Sequence, residues 1–280
     1  MVIADDFFHA YDALLDAWPV EVTAVDVPTP FGSTRVNVCG PESGEPILLL
    51  PGGGATSTVW VNNIEALSRR HRVYAVDVMG DVGRSVNEGA PLRTVDALFG
   101  WLDEILDHFG SASATVVGHS YGAMIALAYA LHDAHRVDGL VLLDPTSCFA
   151  GMSPRYLLRA VPLLIQPTEK RQRSLIDWEA AGVGVDERWL DVTTLGAATF
   201  GRTGLVVPRR PSARALEGLT VDTTVILAGG SRAHDAGRVG ENVRRTVPAA
   251  TVTTIHGTTH HALPMVASTA VDAAILRAVG

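Results

Sequence analysis

Apolar and polar positions along the chain change rhythm several times. Phe7, Phe8, Tyr11, Leu14, Leu15 and Trp18 recur at helical spacing, which predicts a first helix that Asp6 can cap and Pro19 ends. Two β-rich segments, residues 21–27 and 34–39, are split by Pro28, Pro30 and Gly32 and read as a hairpin. Short apolar runs then begin, wholly apolar at 47–50 and 140–143 and largely so at 72–78 and 114–117. Helical stretches separate them, near 60–68, at 94–109 with one apolar face, and at 123–131. Strands buried on both faces read as continuous apolar runs, and parallel neighbours need helical crossovers, so this alternation predicts a parallel α/β sheet. The alternation pauses from Thr146 to Leu219, where helical tendencies at 156–164, 169–180 and 187–195 precede a proline-flanked exit, Pro208-Arg209-Arg210-Pro211. It resumes with strand (223–228), helix (236–246), strand (250–255) and helix (265–279). The expected organisation is one sheet domain, residues 1–145 and 220–280, interrupted by a helical insertion, 146–219.

Composition narrows the function classes. Hydrophobic residues make up 47% of the 280 and charged residues 19%, enough to bury a full core. A net charge of −8 speaks against a nucleic-acid partner, whose phosphates need a basic patch, and against anionic membrane surfaces. Cys39 and Cys148 form no disulfide framework and read as reduced thiols. The first residues are acidic and lack the cationic start of a secretory signal, and no apolar run approaches the ~18 residues of a membrane span. A soluble, cytoplasmic protein acting on a small molecule is the expectation, with oligomeric state open.

Gly118-His119-Ser120-Tyr121-Gly122 fits G-x-S-x-G, and it lies after a predicted strand and before a predicted helix, the context that gives this motif meaning. A strand turning sharply into a helix strains the residue at the bend and exposes its side chain beside free helix N–H groups. The alternative is a glycine-punctuated turn holding an ordinary serine.

With these residues in view, the chain resembles an α/β-hydrolase over nearly its whole length. Val116 to Gly122 resembles the family's nucleophile elbow, and Leu48 to Gly54 its oxyanion loop, with Pro51-Gly52 where the family often has His-Gly. Val73 to Asp77 with Gly83-Arg84-Ser85 resembles the segment after its fourth strand, and Gly257-Thr258-Thr259-His260 its histidine loop. The resemblance implies a mostly parallel eight-stranded sheet with helices on both faces and an inserted helical cap. It also implies Ser120 as nucleophile and the N–H groups of Gly53 and Tyr121 as oxyanion donors.

A serine nucleophile needs a general base, and His260 fits the family's spacing after Gly257, with His261 as its rival. The acid is harder to place. The loop where the family usually carries it reads Gly229-Gly230-Ser231-Arg232-Ala233-His234-Asp235, with Arg232 in the expected position, and an arginine cannot orient an imidazole. Asp235 and Asp144 are the replacements. Asp144 is preferred, because some family members carry the acid after the sixth strand; Asp235 has an alternative duty as a helix cap, and Asp77 reads as structural. A metal site at His256, His260 and His261 lacks a supporting carboxylate or cysteine pattern, and the expected chemistry needs no metal or organic cofactor. In the insertion, Tyr156, Leu157, Leu158, Val161, Leu163 and Leu164 are candidates for an apolar pocket lining, or for plain packing. Together these readings predict a serine hydrolase cleaving a small-molecule ester or lactone. The alternatives are a lyase or cyclase on the same scaffold, or a binding protein with a retired triad.

Overall fold

The computed structural model describes residues 2–266 and 268–279. Eight strands form a single mixed sheet: β1 (Thr23–Thr29), β2 (Gly32–Cys39), β3 (Glu45–Leu50), β4 (His71–Val76), β5 (Ala114–His119), β6 (Val137–Leu143), β7 (Thr223–Ala228) and β8 (Thr251–Ile255). Their spatial order is β1-β2-β4-β3-β5-β6-β7-β8. The β1–β2 hairpin and the β2–β4 pair are antiparallel; from β4 onward every pairing is parallel. The expected mostly parallel eight-stranded sheet is therefore present. Its central strands β3 and β5 have the apolar, both-faces-buried character that the runs at 47–50 and 114–117 implied.

The period-two geometry of a strand divides these runs between two cores. Leu48 and Leu50 of β3 pack with α3 (Val95–His108), α4 (Tyr121–His132) and α9 (Ala236–Thr246) on one face. Ile47 and Leu49 pack with α1 (Val2–Asp16), α2 (Ile64–Ser68) and α11 (Ser268–Val279) on the other. Helix α4 is apolar nearly all round because it starts at the centre of the sheet and is covered on most sides.

Between β6 and β7 lie α5 (Pro154–Ile165), α6 (Glu169–Ala180) and α7 (Glu187–Phe200), followed by a short α8 (Ala213–Glu217). Ser153, Thr168 and Asp186 cap the first three through side-chain oxygens that accept backbone N–H groups one turn on. Helix α7 lies against α1, where the Phe7 and Phe200 rings meet edge to face at 5.0 Å. These helices form the inserted cap, over the ends of the strands where the elbow sits.

Two local expectations need correction, at the first helix and before β7. Helix α1 begins at Val2, so Asp6 lies inside it and does not cap it. The closing helix expected at 265–279 is helical over its described residues, α10 (Leu263–Val266) and α11 (Ser268–Val279), and residue 267 lies outside the described residues. Helix α8, after the Pro208–Pro211 exit, was not foreseen; its Ser212 cap is the signal. Among the described residues no helix is long and apolar enough to cross a membrane.

Candidate active site

Ser120 occupies the single residue between the end of β5 and the start of α4, with φ 54° and ψ −110°. This is a backbone region that side-chain-bearing residues avoid, at a cost of roughly 1–3 kcal/mol. Close packing around the bend holds it there. A Cβ on Gly118 would lie 2.4 Å from the Gly122 carbonyl oxygen, and one on Gly122 would lie 2.3 Å from that of Leu50. Both motif glycines are thus fixed by contact between strand and helix. The Ser120 N–H donates to the Leu143 carbonyl at 3.0 Å, tying the elbow to β6.

Across the site, Ser120 Oγ lies 2.8 Å from His260 Nε2, and His260 Nδ1 lies 2.6 Å from Asp144 Oδ2. With the hydroxyl donating to Nε2 and the Nδ1–H donating to the carboxylate, the three side chains form one relay. His260 comes from the turn after β8, where Gly257 takes a φ of 77°. Asp144 is the first residue after β6, fully buried and itself at φ 41°. Ser120 and Asp144 therefore sit at the ends of adjacent parallel strands, and the histidine closes the gap above them.

Asp144 has four hydrogen-bond donors. Oδ1 accepts from the Ala228 N–H and His234 Nε2, each at 3.0 Å; Oδ2 accepts from Ser231 Oγ at 2.8 Å and from His260. Burial by itself would raise its pKa, but the bonds and charges of His234 and His260 outweigh this and hold the carboxyl well below the usual carboxylate range. At His260, burial works against the cation, and the Asp144 bond and charge, with the Glu179 charge, overcome it and raise the imidazole above its ordinary value. His261 differs: burial and the neighbouring His260 lower it to about 4, and its Nε2 shares a 3.3 Å hydrogen bond with the Tyr156 hydroxyl.

The two residues whose N–H groups are expected to receive an oxyanion, Gly53 and Tyr121, are neighbours at the site. Tyr121 is the first residue of α4, so its N–H is one a helix leaves without an intrahelical acceptor. A Cβ built on Gly53 would stand 3.6 Å from that of Tyr121. The Gly53 loop is fixed by the Ala55 N–H on the Gly52 carbonyl at 3.1 Å and the Gly54 N–H on Asp81 Oδ2 at 2.9 Å. Burial pushes Asp81 up to about 6.

The other acidic candidates lie elsewhere. Asp235 caps α9, accepting the Arg238 N–H at 3.0 Å. Asp77 accepts from Ser57 and from the Arg84 N–H at the end of β4, two strands away from β5. Arg232 stacks over the Trp178 ring at 5.2 Å and donates to the Trp178 carbonyl. Sequence reasoning missed four contributors: Ser231 and His234 on Asp144; His119, whose Nε2 donates to the His260 carbonyl at 3.0 Å; and Glu179, which accepts the His260 N–H at 3.0 Å. Once the acid is placed after β6, the loop after neighbouring β7 must face it, and its polar members Ser231 and His234 become its natural donors. Nothing in the sequence marked Glu179.

A family model described as alpha/beta hydrolase fold matches residues 45–166. Over its whole length the chain superposes on carboxylesterase CesB (YbfK) from Bacillus subtilis with a TM-score of 0.92 at 23% identity, covering 99% of that chain. It superposes on naproxen esterase from the same species with a TM-score of 0.91 at 22% identity, again covering 100% of this chain and 99% of the other. The chain has the α/β-hydrolase fold. In sequence, this chain is 34% identical to carboxylesterase YbfK of Bacillus subtilis over 148 residues, 53% of this chain and 50% of that protein. It is 32% identical to the uncharacterized carboxylesterase nap of the same species over 143 residues, 51% of this chain and 47% of the relative. The matched part of the chain thus spans about half the length of these curated relatives.

Two spaces open at the candidate site. A chamber of about 20 Å³ is bounded by Gly53, Ser120, His260, His261, Gln172 and Trp189. A cavity of about 580 Å³ lies under the cap, lined by Tyr156, Leu157, Leu163, Leu164, Leu175 and Leu205 among others. Gly53, Gln172 and His261 line both and stand between them. Of the six cap residues considered as lining, Leu158 and Val161 do not face the cavity; Leu158 is 74% exposed.

Proposed function

We propose that this chain is a serine carboxylesterase whose substrate is a small molecule with a bulky, largely apolar part, cleaved through an acyl-enzyme. The observation that carries this reading is the Ser120–His260–Asp144 relay, with contacts of 2.8 and 2.6 Å beside the Gly53 and Tyr121 N–H groups. Residues 1–145 and 220–280 would form the catalytic domain and 146–219 its cap.

In this mechanism Ser120 Oγ attacks the ester carbonyl carbon while its proton passes to His260 Nε2. The carbonyl oxygen becomes an oxyanion facing the Gly53 and Tyr121 N–H groups, where loss of one such donor typically costs ~3 kcal/mol of transition-state stabilisation. Asp144 holds the Nδ1–H and stabilises the imidazolium without taking its proton. The tetrahedral intermediate collapses, the C–O bond to the alcohol breaks, and His260 gives its proton to the departing oxygen. A water then repeats the sequence: His260 takes its proton, its oxygen attacks the acyl carbon, and Ser120 regains a hydroxyl as the acid leaves. The cavity under the cap, with its leucine lining, accommodates the apolar part of the substrate.

Arg232 in the usual acid position was the ground for a retired triad, and Asp144 at hydrogen-bond distance from His260 supports an active one. A fluorophosphonate probe tests the reading directly. Covalent labelling at Ser120, with turnover of p-nitrophenyl esters that Ser120→Ala abolishes, is the expected result. An unlabelled wild-type protein that hydrolyses no ester or lactone of a broad panel would overturn it.

A further inference from the structure

Helix α6 turns Gln172, Leu175, Ile176 and Glu179 inward, and three of these serve recognisable ends: Leu175 and Gln172 line the cavity, and Ile176 packs into the core. Glu179 is different. Its carboxylate is fully buried, a position that charged groups occupy only when well satisfied. None of its hydrogen bonds is to a cationic side chain. Oε1 accepts the backbone N–H of Arg232 at 3.2 Å and of His260 at 3.0 Å; Oε2 accepts that of His261 at 3.0 Å. One cap side chain thus gathers two loops of the sheet domain, the one after β7 that carries donors to Asp144 and the one after β8 that carries His260.

The backbone of His260 is held from both sides. Its N–H goes up to Glu179, and its carbonyl goes down to His119 Nε2 at 3.0 Å. The ring sits among titratable groups from every element around it: Asp144 after β6, His119 at the end of β5, His234 after β7, His261 beside it, Tyr156 on α5 and Glu179 on α6. Asp144 and Glu179 are the anionic members, and only Asp144 touches the ring. Ordinary cap packing needs an apolar contact here; a buried carboxylate on three amides is costly unless something is gained from its charge and its bidentate reach.

We infer that Glu179 is a positioning residue through which the cap holds His260 within reach of Ser120 and sets a second fixed negative charge against its imidazolium. This rests on the reading of Ser120 and His260 as nucleophile and base. A docked cap then becomes a condition for a competent base, and not only a lid over the substrate.

The test compares Glu179→Gln, Glu179→Asp and Ile176→Ala in the full-length protein. Each is assayed with p-nitrophenyl acetate from pH 5 to 9, and the His260 ring is titrated by NMR without substrate, its signal assigned by its absence in His260→Ala. Gln keeps the shape but has one acceptor oxygen and turns an NH2 group toward an amide N–H. For Glu179→Gln, kcat falls about 10- to 100-fold with little change in KM, and the acid limb of kcat/KM and the NMR midpoint both move to lower pH. Glu179→Asp keeps the charge and loses reach, so kcat falls at least about 5-fold while the limb stays. Ile176→Ala lowers Tm and leaves the limb in place, which separates packing from positioning. A limb unmoved in Glu179→Gln, or moved as far in Ile176→Ala, overturns the inference. If Glu179→Gln does not fold, wild-type kcat in Glu179→Asp overturns it. A wild-type protein inert toward all esters defeats the functional reading instead, and the NMR midpoint still reports on Glu179.

Discussion

The strands under the site and the cap helices above it meet their surroundings in contrasting ways. In β5 every residue is buried, and an added methyl at Gly118 would strike backbone. On α5, by contrast, Leu158, Leu164 and Ile165 are 74, 60 and 68% exposed, and Leu164 also faces the cavity. The lower region is fixed by backbone contacts that admit one geometry. The upper region is a set of side chains around open space, which can change without disturbing the sheet. Glu179 departs from this pattern, a cap side chain bonded to the backbone of the lower region. The contrast teaches where to look for rate and where for selectivity: rate belongs to the strand ends, and substrate preference to the helices.

The first way to sharpen this contrast is Ser120→Ala, which removes the proposed nucleophile and leaves the fold; kcat for any ester should fall by about 10⁴-fold or more, measured by single-turnover release of p-nitrophenol. Asp144→Asn comes next, with an expected loss of about 10³- to 10⁴-fold in kcat, because an amide can hold His260 in the wrong tautomer. The pH profile ties to the same pair. Asp144 and Glu179 raise His260, and only the neutral imidazole is a base, so kcat/KM should climb with pH through a midpoint above the ordinary imidazole value of ~6.5 and be lost below it. A midpoint at or below that value would contradict the relay. On the cap side, Leu157→Trp should raise KM for a bulky aryl ester about 10-fold while the acetate keeps its kcat/KM. The smallest effect is expected from Asp235→Ala. It removes a helix cap, so thermal unfolding should show a loss of about 1 kcal/mol with kcat unchanged; a large fall in kcat would move the acid from Asp144 to Asp235.

The lower region was also the more legible in sequence. The runs at 47–50 and 114–117 are strands because a sheet covered on both faces needs continuous apolar segments, and the strand at 223–228 and the helix at 236–246 match the expected bounds. Ser120 was readable because its constraint is local: strand, two glycines and helix lie within a few residues. The partners of Asp144 were not, since Ser231 and His234 reach it only through the side-by-side pairing of β6 and β7, separated by some eighty residues of chain. Glu179 was hidden for a similar reason. On a helix with exposed neighbours such as Lys170 and Arg173, a glutamate has the same appearance as any solvated charge.

With its carboxylate rooted in a strand terminus, this protein no longer needs the segment from Gly229 to Asp235 to bear an acid at all. That segment has only to offer a hydroxyl and an imidazole edge, so its length and wording are free to drift or be exchanged without relocating the charge. Homologues that carry an arginine there should not be discarded as inactive on that ground; the residue to inspect is the one that follows the neighbouring strand.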